Sequence, residues 1–437
     1  MLKTIRKNKD LQKKLLITFL LLVLTQFLSN IPTPGINRDT LSTFFESNLG
    51  QALGFFSLFS GNSLQNMSMF MLGISPYITA SIILQLLRVS FTKFDDMAKD
   101  GKEGERKYKI ITYASGAIFG VIQAIPLAIS FGKSGVLAEN TPKYIALVSA
   151  SLILGSVIFM LIGFLIDKFG IKNGISLILM TNIISRIPGD LMNIYEVYMH
   201  GQTIPHWILT ILAVLLLSAF LIVWTIYLQD GEKRVPTQYS GRIASTSQYG
   251  NTKNESYIPI KVNVAGVMPI IFTLNIFQTV TLVLAMTGAS NDGVGMHISR
   301  VLNTQYWFNP DNMIYTLGII LYAALLVFFQ YFYTIIQFDT EKIANNLKAQ
   351  GGVVTGIRPG KPTKEFLDKK LKSIIIVGSA LLFVVAIVPV IVSGLSNLKS
   401  LSLGGTSIII IVGVLVETYK LLESDCLQNV QDSSFLW

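Results

Sequence analysis

The residues best placed for chemistry in this sequence lie in two similar stretches inside apolar segments. Leu72–Ile78 and Ala265–Ile271 both contain the pattern Gly-x-x-Pro-x-Ile, and in both a Gln follows the Pro by nine residues. Pro lacks a backbone donor and crowds the preceding helical turn, so these stretches should interrupt helices. Inside a bilayer such interruptions are tolerated only where protein or water satisfies the freed backbone groups. A matched pair in two halves of a chain therefore predicts a translocation pathway.

The side chains near these interruptions are aliphatic or neutral. Bulky Ile residues lie beside the interruptions and at comparable places in later segments: Ile74, Ile78, Ile178, Ile271 and Ile410. A ring of Ile at the midplane would form a yielding hydrophobic constriction, and the alternative is ordinary lipid-facing or core packing. Four polar residues could hydrogen-bond across a seam between helices, or form ordinary interhelix bonds: Thr79, Gln85, Asn275 and Gln278.

Residues suited to catalysis or ion coupling are scarce in the apolar segments. The few ionisable side chains there lie near segment ends, among them Glu417, Arg186 and Asp190, while the three histidines fall near span ends or in a loop. Buried ionisable groups usually mark proton or ion pathways. The single cysteine, Cys426, excludes an internal disulfide, and no phosphate-binding glycine loop is present. We expect no catalytic activity, metal or cofactor, so a partner must supply energy. An inverted-repeat secondary solute transporter remains an alternative.

The composition indicates a protein with many membrane spans. Hydrophobic residues make up 51% of the 437-residue chain and charged residues 14%, with a mean hydropathy of +0.55. Ten apolar segments approach the length that a bilayer of about 30 Å requires. They cover residues 15–31, 67–89, 110–131, 144–166, 174–194, 206–229, 262–286, 313–337, 372–394 and 404–421. The stretch 41–66 is too short and polar to span, so we predict a re-entrant helix there or a surface loop.

The distribution of Lys and Arg predicts that both chain ends are cytoplasmic, because basic residues then concentrate on the cytoplasmic side. This also explains the net charge of +10 without nucleic acid. Two halves, 1–200 and 201–437, hold five spans each, so the second half enters the membrane inverted. The long cytoplasmic loops 230–260 and 338–372 are basic and bear glycines. They suit an acidic or RNA-bearing partner, or they simply carry positive-inside charge.

Seven motifs then resemble one family along nearly the whole chain, the bacterial SecY family of protein-conducting channels. They lie, in order, at Ile31–Gly35, Phe59–Gly61, Leu72–Leu87, Lys172–Ser176, Ile258–Val267, Gly356–Gly360 and Gly404–Ser407. The resemblance implies an all-α polytopic membrane protein. Its ten transmembrane helices would form two inverted five-helix halves with a re-entrant plug helix at about 56–67. It also implies multi-pass insertion in the bacterial cytoplasmic membrane.

The resemblance also implies a mechanism and a set of partners. Signal peptides would open a lateral gate between spans 2 and 7, preproteins would cross, and hydrophobic segments would leave sideways into lipid. SecE-like and SecG-like subunits would join the channel, and the SecA motor ATPase or the ribosome would dock on it. The implied pore ring is Ile74, Ile78, Ile178, Ile271 and Ile410, and the implied gate residues are Thr79, Gln85, Asn275 and Gln278. The implied plug residues are Phe59, Ser60, Gly61 and Leu64, and the docking residues are Arg242 and Arg358.

Overall fold

The computed structural model describes residues 8–37, 60–196, 200, 204–239, 256–287, 293–303, 306–307, 313–396 and 399–434. Most of these residues are helical. The first helices are α1 (Lys9–Leu28), α2 (Ser75–Ser90), α3 (Thr92–Lys99), α4 (Gly101–Lys133), α5 (Pro142–Phe169), α6 (Gly174–Ile194) and α7 (Ile204–Asp230). They are followed by α8 (Met268–Thr287), α9 (Gly293–Leu302), α10 (Leu317–Gln337), α11 (Thr340–Ala349), α12 (Lys361–Ser396) and α13 (Lys399–Ser434).

The long helices match the predicted membrane spans. Within the described residues, seven helical stretches are long and apolar enough to cross a bilayer: Lys9–Leu28, Glu103–Lys133, Pro142–Phe169, Gly174–Met192, Pro205–Asp230, Met313–Ala349 and Lys361–Val392. The other predicted spans, 67–89, 262–286 and 404–421, fall on α2, α8 and α13. Many large apolar side chains stay exposed, as on α7, where Leu216 is 63% exposed. Such an all-round apolar helix is stable against lipid rather than water.

The helices surround one large hydrophobic cluster. Most of its buried members come from α2, α5, α6, α7, α8, α10, α12 and α13, so both halves of the chain contribute to it. A second cluster lies beneath the segment before α2 and includes Leu64, Leu127 and Phe131. These two clusters form the interior of the helical part of the molecule.

The helices α2 and α8 begin in the same way, and this corrects the sequence prediction of interruptions within helices. Gly73 and Gly266 have positive φ angles of 54° and 63°, a conformation that costs glycine little. Each glycine lies just before a helix whose second residue is a proline, Pro76 in α2 and Pro269 in α8. A proline is tolerated there because the first helical N–H groups have no partner within the helix. The matched patterns therefore start helices.

A small sheet, which was not predicted from the sequence, forms on the two long loops. Its strands are β1 (Glu232–Tyr239), β2 (Tyr257–Lys261) and β3 (Gly352–Val354). Their order is β2-β1-β3, and β1 pairs antiparallel with both neighbours. A third hydrophobic cluster, which includes Val235, Ile260, Leu347, Val354 and Leu367, packs beneath the sheet. The two loops therefore fold into one unit, called the loop unit below.

Candidate functional site

The helices α2 and α8 meet along a polar seam. The Thr79 hydroxyl on α2 lies 2.9 Å from the Asn275 Oδ1 atom on α8. The amide nitrogen of Asn275 in turn donates to the hydroxyl of Ser75 at 3.2 Å. Thr79 and Asn275 are both buried, at 9% and 1% exposure. The structure thus joins two of the four predicted gate residues across the helix pair that the sequence indicated.

A third helix contributes to this seam. The amide nitrogen of Gln123 on α4 donates to the Thr79 hydroxyl at 3.2 Å, and Gln123 is 4% exposed. Gln123 was not among the residues predicted from the sequence, although it is the one amide side chain in the apolar segment 110–131. We call the network of Ser75, Thr79, Gln123 and Asn275 the seam.

The two predicted glutamines are not hydrogen-bonded to each other. Gln85 is partly buried, and its amide nitrogen donates to Ser81 within α2 at 3.0 Å. Gln278 on α8 is 1% exposed, and neither atom of its amide group has a hydrogen-bond partner in the part of the chain that the structure describes. An amide buried without partners is energetically costly. The burial of Gln278 therefore carries an energetic cost, whereas the Asn275 amide is hydrogen-bonded to α2.

All five predicted pore-ring residues are buried in the large cluster. Their exposures are 0% for Ile74, 5% for Ile78, 0% for Ile178, 4% for Ile271 and 1% for Ile410. The lipid-facing alternative is excluded for these side chains by their burial. They lie at the start of α2, within α2, α6 and α8, and within α13. The cluster also contains many other aliphatic residues, so burial is consistent with both a ring and ordinary core packing.

The described part of the predicted plug is a tight turn against α6. Residues 61–63 form one 3₁₀ turn followed by further turns, and Phe59 lies outside the described residues. Gly61 has a φ of +62°, and a Cβ built on it would lie 2.7 Å from the Asn182 carbonyl oxygen on α6. Ser60 and Leu64 are 1% exposed. Of the re-entrant helix predicted over 56–67, the described residues thus show one 3₁₀ turn and the turns that follow it, residues 56–59 lie outside the described residues, and the plug assignment stays a prediction.

The loop unit presents Arg358 to solvent. Arg358 is exposed and lies between Gly356 and Gly360, whose φ angles are 79° and 94°. The Thr363 hydroxyl donates to the Arg358 carbonyl at 2.8 Å and fixes this turn at the start of α12. On β1, Glu232 accepts a hydrogen bond of 2.7 Å from Arg234, and this raises the pKa of Arg234. Arg242, the second predicted docking residue, lies outside the described residues.

Sequence comparison identifies close relatives over almost the whole chain. A sequence profile of the SecY family matches residues 68–419. The protein translocase subunit SecY of Halalkalibacterium halodurans is 35% identical over 426 residues, covering 96% of each chain. The SecY subunit of Mycobacterium bovis is 32% identical over 438 residues, covering 97% of this chain and 96% of the relative.

Solved structures share the fold at lower identity. A protein-conducting channel aligns with a TM-score of 0.66 at 18% identity, covering 95% of this chain and 93% of the other. Sec61 from a canine ribosome–channel complex of the endoplasmic reticulum aligns with a TM-score of 0.64 at 18% identity, with the same coverage. The mainly helical channel fold is confirmed by these likenesses. By its sequence relatives over nearly its full length, the chain belongs to the SecY family.

Proposed function

We propose that this chain is a protein-conducting channel. Polypeptides that bear signal peptides would cross the bacterial cytoplasmic membrane through it, and hydrophobic segments would leave sideways into lipid between α2 and α8. The observation that carries this proposal is the seam, in which Thr79 and Asn275 join the two helices that begin with matched Gly and Pro residues. The naming of its relatives as translocase subunits supports the same activity.

The seam suits a gate because only a few weak hydrogen bonds hold its helices together. Hydrogen bonds between helices within membranes contribute about 0.6 kcal/mol each on average, so a few of them hold two helices together reversibly. An apolar signal helix that enters the seam buries its surface at roughly 25 cal/mol per Å². That gain offsets the lost hydrogen bonds, and no specific sequence is needed. Recognition of a signal peptide is thus partition of an apolar helix between the seam and lipid.

The wall of the pathway would be the ring Ile74, Ile78, Ile178, Ile271 and Ile410. A channel for chains of every side-chain type cannot rely on specific coordination, and aliphatic side chains yield to whatever passes. An empty aliphatic constriction also excludes water and ions by dewetting. The turn that contains Ser60, Gly61 and Leu64 would cover the pathway as a plug, together with Phe59.

A motor or a ribosome that docks on the loop unit would supply the energy for transport, and further subunits would pack against the helices within the membrane. Arg358 on an exposed turn, together with Arg242 of the sequence segment 230–260, would dock the SecA motor or the ribosome. A similar solved Sec61 structure is described as part of a ribosome–channel complex, which supports such docking. SecE-like and SecG-like subunits would pack on the exposed apolar helices. We further propose two inverted halves, 1–200 and 201–437, with both chain ends in the cytoplasm. In this arrangement the chain itself catalyses no reaction.

A solute transporter is the weaker alternative. Such a protein needs a compact polar site where its helices break. Near the starts of α2 and α8, Ile74, Ile78 and Ile271 offer no polar group. The polar side chains there, Ser75, Thr79 and Asn275, are already hydrogen-bonded to one another. No group of metal-binding side chains is found among the described residues either.

Crosslinking tests the channel directly. A photoreactive residue replaces Ile78 in one variant and Ile271 in another, and a secretory chain is stalled in native membranes that carry the protein with its partners. A photoreactive residue at Leu216, exposed on α7, is the matched control. We expect crosslinks from 78 and 271 only when the signal peptide is functional, and none from 216. Equal crosslinking from all three positions, or none from 78 and 271, would refute the pathway.

A further inference from the structure

The segments that precede α2 and α8 are anchored by the same backbone contact. Met69 lies four residues before Gly73 and donates its N–H to the Ile31 carbonyl at 3.1 Å, just after α1. Val262 lies four residues before Gly266 and donates its N–H to the Gly231 carbonyl at 2.7 Å, just after α7. Each gate helix is therefore tied to the end of the helix that opens its half of the chain.

The carbonyl groups of the same two residues meet glycines on other helices. A Cβ built on Gly155 of α5 would overlap the carbonyl oxygen of Met69, and a Cβ built on Gly378 of α12 would overlap that of Val262. Both overlaps fall under 3.0 Å, a distance that real Cβ atoms essentially never show. Both glycines are buried. Two helices from different halves thus approach equivalent carbonyl groups so closely that only glycine fits.

Further contacts hold the residues that follow each anchor residue, Met69 in the first half and Val262 in the second. In the first half, Phe70 stacks on Phe159 of α5 with ring centroids 4.7 Å apart. In the second half, the Asn263 amide nitrogen donates to the Gly266 carbonyl at 2.8 Å. Gln330 of α10 donates to the Asn263 Oδ1 atom at 3.0 Å. Gln330 Nε2 also lies 3.7 Å from a Cβ built on Gly378, so in each half the segment that follows the anchor is held by contacts close to the glycine-bearing helix.

We infer that Gly155 and Gly378 are positioning residues that set where α2 and α8 begin, and so bring Thr79 and Asn275 into register. The inference rests on the proposed function only in calling the α2–α8 contact a gate. A methyl group at either glycine would push Met69 or Val262 away, and the attached helix would shift with it. Because Thr79 and Asn275 are only 2.9 Å apart, a shift of an ångström or so separates them.

A disulfide across the seam measures this register without requiring transport. The reporter carries Thr79→Cys and Asn275→Cys, with the native Cys426→Ser, in native membranes that contain the full complex. Mild oxidation then gives a disulfide yield, normalised to protein that stays monodisperse after detergent extraction. We expect Gly155→Ala and Gly378→Ala each to lower that yield at least threefold. Gly189→Ala on α6, where a Cβ would meet nothing within 4 Å, is the control and should leave the yield unchanged.

Yields for Gly155→Ala and Gly378→Ala equal to that of Gly189→Ala would overturn the inference. Alanine favours a helix interior more than glycine does, so a decrease cannot come from helix propensity. If the alanine variants fail to accumulate, Asn263→Ala provides the test, because it frees the Gly266 carbonyl without adding volume. It should also lower the yield, and an unchanged yield would count against the anchor.

Transport of a precursor with a weakened signal peptide separates this inference from the proposed function. A lowered disulfide yield together with increased transport supports both the anchors and the gate. A lowered yield with unchanged transport leaves the anchors in place and refutes the gate between α2 and α8. An unchanged yield refutes the anchors whatever transport does.

Discussion

The substitution Asn275→Ala should make the seam between α2 and α8 easier to open. Asn275 is the residue through which α8 takes part in the hydrogen-bond network, and its side chain contacts both Thr79 and Ser75 of α2. Alanine removes both hydrogen bonds but keeps the helix. Thr79 retains the bond from Gln123 and can still donate to the Ser75 carbonyl at 3.1 Å. The Thr79 hydroxyl on α2 thus keeps hydrogen-bond partners, so the substitution acts mainly on the contact between the two helices.

The expected size of the effect follows from the number of hydrogen bonds lost. Opening the seam lets the Asn275 amide group find other partners, so only the net value of each hydrogen bond counts. At about 0.6 kcal/mol per interhelical bond, two bonds give about 1.2 kcal/mol. Since 1.4 kcal/mol corresponds to a tenfold change, the ratio of open to closed channels should rise roughly eightfold. The small volume left by the amide acts in the same direction.

The assay is transport of a precursor whose signal peptide has been weakened, so that gate opening limits the rate. The protein is kept in membranes with its partner subunits and motor, and the initial rate is compared with that of the parent. Thr279→Ala on α8 is the matched control, because the Thr279 hydroxyl donates to the Asn275 carbonyl within the helix and leaves the seam intact. We expect a rise of several-fold for Asn275→Ala and little change for Thr279→Ala.

Two results would refute this reasoning. A rate for Asn275→Ala within twofold of the parent would mean that the seam does not limit opening. An equal rise for Thr279→Ala would mean that α8 itself, rather than the contact with α2, controls the rate. A double-mutant cycle with Thr79→Ala isolates the pair, and its coupling energy should be about 0.6 kcal/mol.

Three further predictions concern the pore, the plug and the loop unit. Replacing both Ile78 and Ile271 with Gly should raise small-ion conductance through bilayers, because bulk at the constriction is lost, and unchanged conductance would remove these positions from the seal. Gly61→Ala should also cause an ion leak, since a left-handed alanine costs roughly 1–2 kcal/mol and its Cβ would crowd Asn182. Gly101→Ala, with a φ of +65° but open space around it, controls for the backbone strain alone and should not leak. Arg358→Glu should weaken binding of the purified SecA motor or ribosomes at low salt, whereas Lys348→Glu, exposed in the same unit, should change binding less; equal losses would indicate nonspecific charge attraction.

The membrane helices were predictable because a bilayer imposes one length and one kind of surface on each span. The Thr79–Asn275 contact was partly predictable, since a polar residue in an apolar segment needs a partner. Gln123 carries the same signal, but its contact with Thr79 depends on how α4 packs. The lack of a hydrogen bond between Gln85 and Gln278 has the same origin, because equal spacing from a proline does not place two residues on facing sides of a seam.

Two features could not be read from the sequence. β1 and β3 lie more than a hundred residues apart in the chain, and their pairing at Thr237 and Val354 comes from tertiary structure, which dominates strand formation. Prolines at 236 and 259 within β1 and β2 further obscure the strands. Gly155 and Gly378 look like any other of the 34 glycines. Their meaning appears only when the opposing carbonyl groups are in place.

The position of β2 has a mechanical consequence for the two gate helices. β2 ends at Lys261, and the next residue, Val262, is the anchor of α8, so the sheet adjoins the anchor directly and only residues 263–267 lie between the anchor and α8. A load applied at the Arg358 turn reaches β3, then β1 and β2 through their hydrogen bonds, and finally α8. The anchor of α2 is instead fastened to Ile31, at the end of α1. If a partner docks on the Arg358 turn as proposed, its work would therefore reach α8 through the sheet, whereas α2 is anchored to the end of the membrane helix α1.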